Sequence, residues 1–269
     1  MKRRGSRAPE SEDILAVPHA GRDVPAGVRQ DLEIVSGGER IPAVLLLPHA
    51  SAVPAALLLH GLGSRKERMI DTVGSALVRR GVGALAVDLP LHGGRGGSDD
   101  LRQVHPMQLV THWSAAVTEA RVALDFLASH PAVDGQRVGV VGYSLGSFLA
   151  NIVAADHPEV RAIVLAASGD LPEGIPFEPL VRRVVDPLRA VRALAGRPLL
   201  MVNGRYDRTV TARQGEKLFA AAGEPKSIHW YNGGHWPPQK DIDFACDWLA
   251  TRLEAADARR PRTRASSVG

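Results

Sequence analysis

From Pro54 to Asn232 the chain repeats one alternation, and that alternation narrows the folds open to it. Six short runs, "PAALLLHG", "GALAVDLP", "RVGVVGY", "VRAIVLAAS", "RPLLMVNG" and "KSIHWYN", read as strands, the first of them a continuous apolar run ending in glycine. Between and after them lie stretches with helical spacing of apolar residues: 65–80, 107–129, 145–156, 210–222 and 240–254. In the first of these Met69, Val73, Ala76 and Leu77 share one stripe. A strand apolar on both sides must be covered on both sides, which is the situation of a buried parallel sheet. Upstream, "DLEIVS" and "RIPAVLLLP" read as two strands joined by "GGE", a hairpin signal. The expected fold is α/β: a mostly parallel eight-stranded sheet with helices on both faces.

A chain of 269 residues fits one large domain, placed here at 26–256. Residues 1–25 are read as an N-terminal tail, partly disordered, and 257–269 as a basic C-terminal tail. Residues 171–197 break the rhythm, with four prolines and five arginines between two expected strands. They are expected to form one or two helices, either a small cap or an ordinary crossover with a long lead-in.

Charge and composition exclude several function classes. The formal net charge is +4, but the excess sits in "MKRRGSR" and "ARRPRTRASSVG" at the ends. With 4% aromatic residues and no basic stripe, nucleic acid is not an expected partner. The single cysteine, Cys246, excludes an internal disulfide framework and reads as a small buried residue. No apolar run is long enough to span a membrane, and no apolar core follows the N-terminal charges, so a cytoplasmic location is expected. His92, His105 and His112 match no metal-ligand spacing, and neither a metal nor another cofactor is expected.

Within this frame one serine stands out. Ser144 lies in "GVVGYSLGSF", where an apolar strand must turn at once into a helix. The G-x-S-x-G pattern, here "GYSLG", places a serine on such a turn, with Gly142 and Gly146 allowing strand and helix to approach closely. At the carboxyl end of a parallel strand, that serine oxygen is exposed where ligands bind. A serine nucleophile needs a base, and the base an orienting acid. Asp207 follows the strand "RPLLMVNG", and His235 follows "KSIHWYN", in the order Ser, Asp, His. Asp170, which ends the preceding strand, is the rival acid. Backbone N–H donors for an oxyanion are expected at Leu145, after the serine, and at Leu62, in the glycine-flanked loop "HGLGSRKE".

Taken together, "HGLGS", "DLPLHGGRGGS", "GYSLG", "NGRYDRTV" and "GGHW", spread over roughly residues 40–255, resemble the α/β-hydrolase superfamily, close to its dienelactone-hydrolase-like and prolyl-oligopeptidase-like serine hydrolases. The chain has serine where dienelactone hydrolases have cysteine, and no room for the propeller of prolyl oligopeptidases. The resemblance implies Ser144 as nucleophile, His235 as base, Asp207 as acid, and Leu62 and Leu145 as the oxyanion hole. It also places the loop of His92 and Arg95 beside the site. His92, Arg95, Phe177 and Trp236 are the candidate substrate-pocket residues, although Asp88 and His92 also read as anchors of their own loop. The expected reaction is hydrolysis of a small-molecule carboxylic ester of short acyl chain through an acyl-enzyme. Thioesters, peptides and slow-turnover ligand binding are the alternatives.

Overall fold

A computed structural model of the chain describes residues 14–96, 106–175 and 177–257. Nine strands among these residues form one sheet in the order β1-β2-β3-β5-β4-β6-β7-β8-β9. β2 (Gly27–Ser36) and β3 (Glu39–Leu47) form the expected hairpin, with Gly37 and Gly38 at φ of 59° and 85° in the two-residue turn. β4 (Val53–Leu59), β5 (Gly83–Val87), β6 (Val133–Tyr143), β7 (Val160–Ala166), β8 (Leu199–Gly204) and β9 (Lys226–Tyr231) are mutually parallel.

The strand count and the N-terminal boundary require correction. Leu15–Val24, assigned from sequence to a tail ending at residue 25, is β1, and it pairs antiparallel with β2 from Leu15↔Val35 to Val24↔Gly27. The sheet therefore has nine strands rather than eight. The segment reads poorly as a strand because it is an edge: Leu15 is exposed, Pro18 lies within it, and the register shifts between Pro18 and Ala20. Edge strands tolerate proline and need no buried face, so the usual sequence signals are absent.

Every residue of β4 and β5 is buried, as runs apolar on both sides require. Leu57, Leu59, Leu85 and Val87 pack on one side with α3 (Pro106–Ser129) and α4 (Leu145–Asp156). Leu58, Ala84, Ala86 and Val141 pack on the other, against the helical run from α1 (Lys66–Met69) through a π-helical turn (Ile70–Gly74) to α2 (Ser75–Val78), and against α8 (Gln239–Asp257). Cys246, on α8, is buried in this second core.

Residues 171–197 divide in two. α6 (Pro187–Ala193) buries Pro187, Ala190 and Val191, and the Asn151 amide on α4 donates to the Pro187 carbonyl at 2.9 Å. α5 (Glu178–Val184) buries no residue. α7 (Ala212–Ala221) opens with a capping box, Thr211 with Gln214. Among the described residues no helix is long and apolar enough to cross a membrane.

Candidate active site

Ser144 joins the carboxyl end of β6 to the first turn of α4 with φ 51° and ψ −118°, a conformation costly for a residue with a side chain. Contacts on each side enforce it. The Ser144 N–H donates to the Ala166 carbonyl (2.9 Å), and the Ser147 hydroxyl donates to the Ser144 carbonyl (2.7 Å). The bracketing glycines are required by space. A Cβ at Gly142 would lie 2.3 Å from the Gly146 carbonyl oxygen, and one at Gly146 would lie 2.1 Å from that of Leu59. Helix α4 is thereby pressed against the ends of β4 and β6, and the serine is held above them.

The serine, histidine and aspartate meet. His235 Nε2 lies 2.9 Å from Ser144 Oγ, and His235 Nδ1 lies 2.7 Å from Asp207 Oδ2. The Asp207 pairing fixes the tautomer: Nδ1–H donates to the carboxylate, and Nε2 keeps its lone pair for the serine. Asp207 is itself fixed, since Oδ1 accepts the N–H of Thr209 (2.8 Å) and Val210 (3.0 Å). The Tyr231 hydroxyl donates to the Gly234 carbonyl (2.8 Å) and lies 3.2 Å from that of His235, which steadies the histidine loop.

Asp170, the rival acid, is wholly buried but engaged elsewhere. Both its oxygens accept from Arg182 (2.9 Å each), and Lys217 Nζ lies 2.6 Å away. Burial acts to raise its pKa, but the hydrogen bonds from these two cations outweigh it and hold the carboxyl below the ordinary value. His229, which lies within β9, pairs with Asp241 at 2.7 Å and stacks on Phe244.

The loop at Gly61 and Leu62 lies directly against the serine: a Cβ on Gly61 would be 3.1 Å from that of Ser144. The Gly61 carbonyl accepts from His60 Nδ1 (2.8 Å) and from the Ser64 N–H (3.1 Å). Across that trans peptide the Leu62 N–H points the opposite way. Neither it nor the N–H of Leu145 has a protein acceptor among the described residues. His60 was not singled out from the sequence. Its ring is buried, and Nε2 accepts the Leu89 N–H at 3.1 Å, so it ties this loop to the end of β5. Burial lowers its pKa to about 4, which keeps it neutral and able to do both. The only sequence signal was the adjoining glycine.

The four candidate pocket residues have different surroundings. His92 is buried, with Nδ1 on the Pro90 carbonyl (2.8 Å) and its ring edge-on to His60. Arg95 is held by both oxygens of Glu119. Asp88 accepts from the Lys66 N–H (2.9 Å), Lys66 Nζ (2.7 Å) and the Gly94 N–H (3.0 Å), which anchors the same loop. Phe177 is 76% exposed. Trp236, next to His235, packs edge-on to Tyr143 at 4.5 Å, and the Arg68 guanidinium lies 4.1 Å from its ring centroid. His105 lies outside the described residues. Asp125, His157 and Glu159 bring potential metal-ligand atoms within 4.8 Å of one another. They gather around the far end of α4, about 18 Å along the helix from Ser144.

Comparison with known proteins identifies a family for the chain. Residues 41–236 match the dienelactone hydrolase family. An uncharacterised protein of Mycobacterium tuberculosis strain H37Rv is 30% identical over 233 residues, covering 83% of this chain and 77% of that protein. NocK of Nocardia uniformis, which carries the name of an esterase, is 31% identical over 233 residues; the match covers 84% of this chain but 60% of NocK. The solved structure of a cold-adapted esterase from an Arctic intertidal metagenomic library superposes with a TM-score of 0.70 at 23% identity, covering 87% of this chain and 97% of that one. At that identity the likeness is one of fold, the α/β-hydrolase fold.

Proposed function

The chain belongs to the dienelactone hydrolase family, and we propose that it is a serine hydrolase that cleaves carboxylic esters of short acyl chains through an acyl-enzyme on Ser144. The observation that carries this reading is the relay of Ser144, His235 and Asp207 at 2.9 and 2.7 Å. Hydrogen-bonded nucleophile, base and orienting acid, at the carboxyl ends of parallel strands, are what acyl transfer requires.

In the first half-reaction Ser144 Oγ attacks the ester carbonyl carbon while its proton passes to His235 Nε2. The carbonyl oxygen becomes an oxyanion, which takes hydrogen bonds from the uncommitted N–H groups of Leu62 and Leu145. Asp207 stabilises the imidazolium that forms. The tetrahedral adduct collapses, the C–O bond to the alcohol breaks, and His235 gives that proton to the departing oxygen. Water then attacks the acyl-serine with His235 again as base, and the acid and free Ser144 are released.

The preference for short acyl chains rests on α5. It is seven residues long and buries none of them, and Arg182, which also pairs with Glu178 one turn back in the same helix, ties it to Asp170. One such helix supplies a short apolar wall rather than a long tunnel. Each methylene that finds a wall gains about 0.8 kcal/mol, and carbons beyond it gain nothing. The deciding measurement is turnover of nitrophenyl acetate by the native chain and by Ser144→Ala, with acyl-enzyme mass detected after a single turnover. Undiminished turnover in Ser144→Ala would overturn the assignment.

A further inference from the structure

The sheet carries a second concavity at its other end. At the amino ends of β6, β7, β8 and β9, beside the last turns of α8, lies a groove of about 720 Å³. That volume is in the range of small-molecule sites. The residues of the proposed relay follow the carboxyl ends of these strands, so the groove is about 20 Å from Ser144, the length of a six-residue strand.

Its lining is rich in positive charge. Arg137, Arg161, Arg197, Lys226 and Arg252 border it, against two acids, Asp134 and Glu224. Asp134 is engaged with Arg137 at 2.8 Å, and Glu224 accepts the backbone N–H of Lys226 at 3.0 Å. The other four cations have no carboxylate within ion-pair distance among the described residues. Arg161 donates only to Gln136, at 3.1 and 3.3 Å. Half-buried Arg197 donates, among the described residues, to the carbonyls of Ala154, His157 and Ala193. Lys226 Nζ donates to those of Phe219 (2.9 Å) and Ala222 (2.7 Å). Among the described residues Arg252 makes no hydrogen bond; its guanidinium stands 5.5 Å from the ring centroid of Trp248, which forms an apolar wall of the groove.

Four side-chain cations that border one concavity and, among the described residues, donate hydrogen bonds only to neutral groups leave positive charge in excess of the two acids there, which is an arrangement that favours an anion. We propose that this groove binds a small polyanion, a molecule with two or more phosphate or carboxylate groups bridging Arg161, Arg197, Lys226 and Arg252. Burial also lowers the Arg197 pKa, against the opposing pull of Glu159, and an anion in the groove would offset the cost of that desolvation. Trp248 gives the ligand's apolar part a surface to lie on.

The test is calorimetric binding of pyrophosphate and of citrate to the full chain at low ionic strength. The comparison is with an Arg161→Gln/Arg252→Gln double variant, both sites being exposed, with its unfolding midpoint measured alongside. The expected result is saturable one-to-one binding of at least one probe, weakened about tenfold or more in the double variant, a loss equal to about 1.4 kcal/mol. Ester turnover of that variant should equal that of the native chain, and Ser144→Ala should bind the probe as the native chain does. Tighter pyrophosphate identifies phosphate as the recognised group, and tighter citrate identifies carboxylate. No saturation by either probe, equal affinity in the double variant, or loss of binding in Ser144→Ala would overturn the proposal.

Discussion

Gly146→Ala converts the packing around the serine into a measurable cost. The added Cβ would lie 2.1 Å from the Leu59 carbonyl oxygen, 2.4 Å from its carbon and 2.6 Å from the His60 oxygen, where real contacts do not fall below 3.0 Å. All three obstructing atoms are backbone, so no side chain can rotate to relieve the clash. Helix α4 and the end of β4 must separate by about 0.9 Å, the difference between 2.1 and 3.0 Å. Overpacking a core costs about 1–3 kcal/mol, and the upper end is expected where backbone must move. The displaced carbonyls lead directly into Gly61 and Leu62, whereas Leu145 moves with α4, so the two N–H groups assigned to the oxyanion drift apart. A misplacement near 1 Å costs about a hundredfold in rate. The assay pairs urea unfolding with kcat and KM on nitrophenyl acetate. Gly21→Ala serves as control, because a Cβ there meets nothing closer than 4.0 Å. The expected outcome is a lower unfolding midpoint and a kcat reduced about a hundredfold, with KM little changed. Gly146→Ala with native stability and native kcat would refute the argument that close backbone approach is what requires glycine here.

Further predictions concern the acids, the buried histidine and the substrate. Asp207→Asn should cut kcat by about 10⁴-fold by releasing the imidazole tautomer, whereas Asp170→Asn should leave kcat near native and destabilise the chain by about 3 kcal/mol, at the low end for a broken buried pair because Lys217 is half exposed; a larger kcat loss from Asp170→Asn would reverse the assignment. His60 has a folded pKa of about 4 against 6.5 unfolded, so between those values the unfolded chain binds the extra proton. Its contribution to stability is complete above pH 6.5 and is lost as pH falls toward 4, a change of about 3 kcal/mol, read as a pH slope of the unfolding free energy that His60→Gln should remove. Along a series of nitrophenyl esters of increasing acyl length, kcat/KM should peak among the short chains without a rise above the solubility limit; a maximum at the long end would show that α5 covers a lipid-binding surface.

The sheet and the order Ser, Asp, His could be read in the sequence because each leaves a local pattern. A strand buried on both faces is apolar along nearly its whole length, and β4 and β5, with the central parts of β6, β7 and β8, announce themselves in this way. The turn at Ser144 needs glycine on each side for steric reasons, so "GYSLG" records a three-dimensional constraint in five adjacent residues. β1 left no such record, because an edge strand has neither a fully buried face nor a full set of hydrogen bonds to satisfy.

Roles that depend on distant partners were hidden. Asp170 and Asp207 both follow strands and both are acids, and sequence alone favoured one only by its turn. In the fold, Arg182 and Lys217 occupy Asp170, while His235 reaches Asp207, through partners 12 to 47 residues away in the chain. Arg95 had the chemistry of an anion receptor until Glu119, on a helix 24 residues on, claimed it. His60 is a histidine in any listing of the chain, and only burial between Gly61 and Leu89 makes it a neutral strut. The sequence determined which residues sit in the buried strands, which turn is strained and which chemistry is available at the sheet's carboxyl edge, since these follow from near neighbours and from hydrophobicity. Which acid meets which base, and which cations are left without a carboxylate, was decided only by the tertiary structure, because charge pairing and desolvation act through space between residues that the chain order keeps apart.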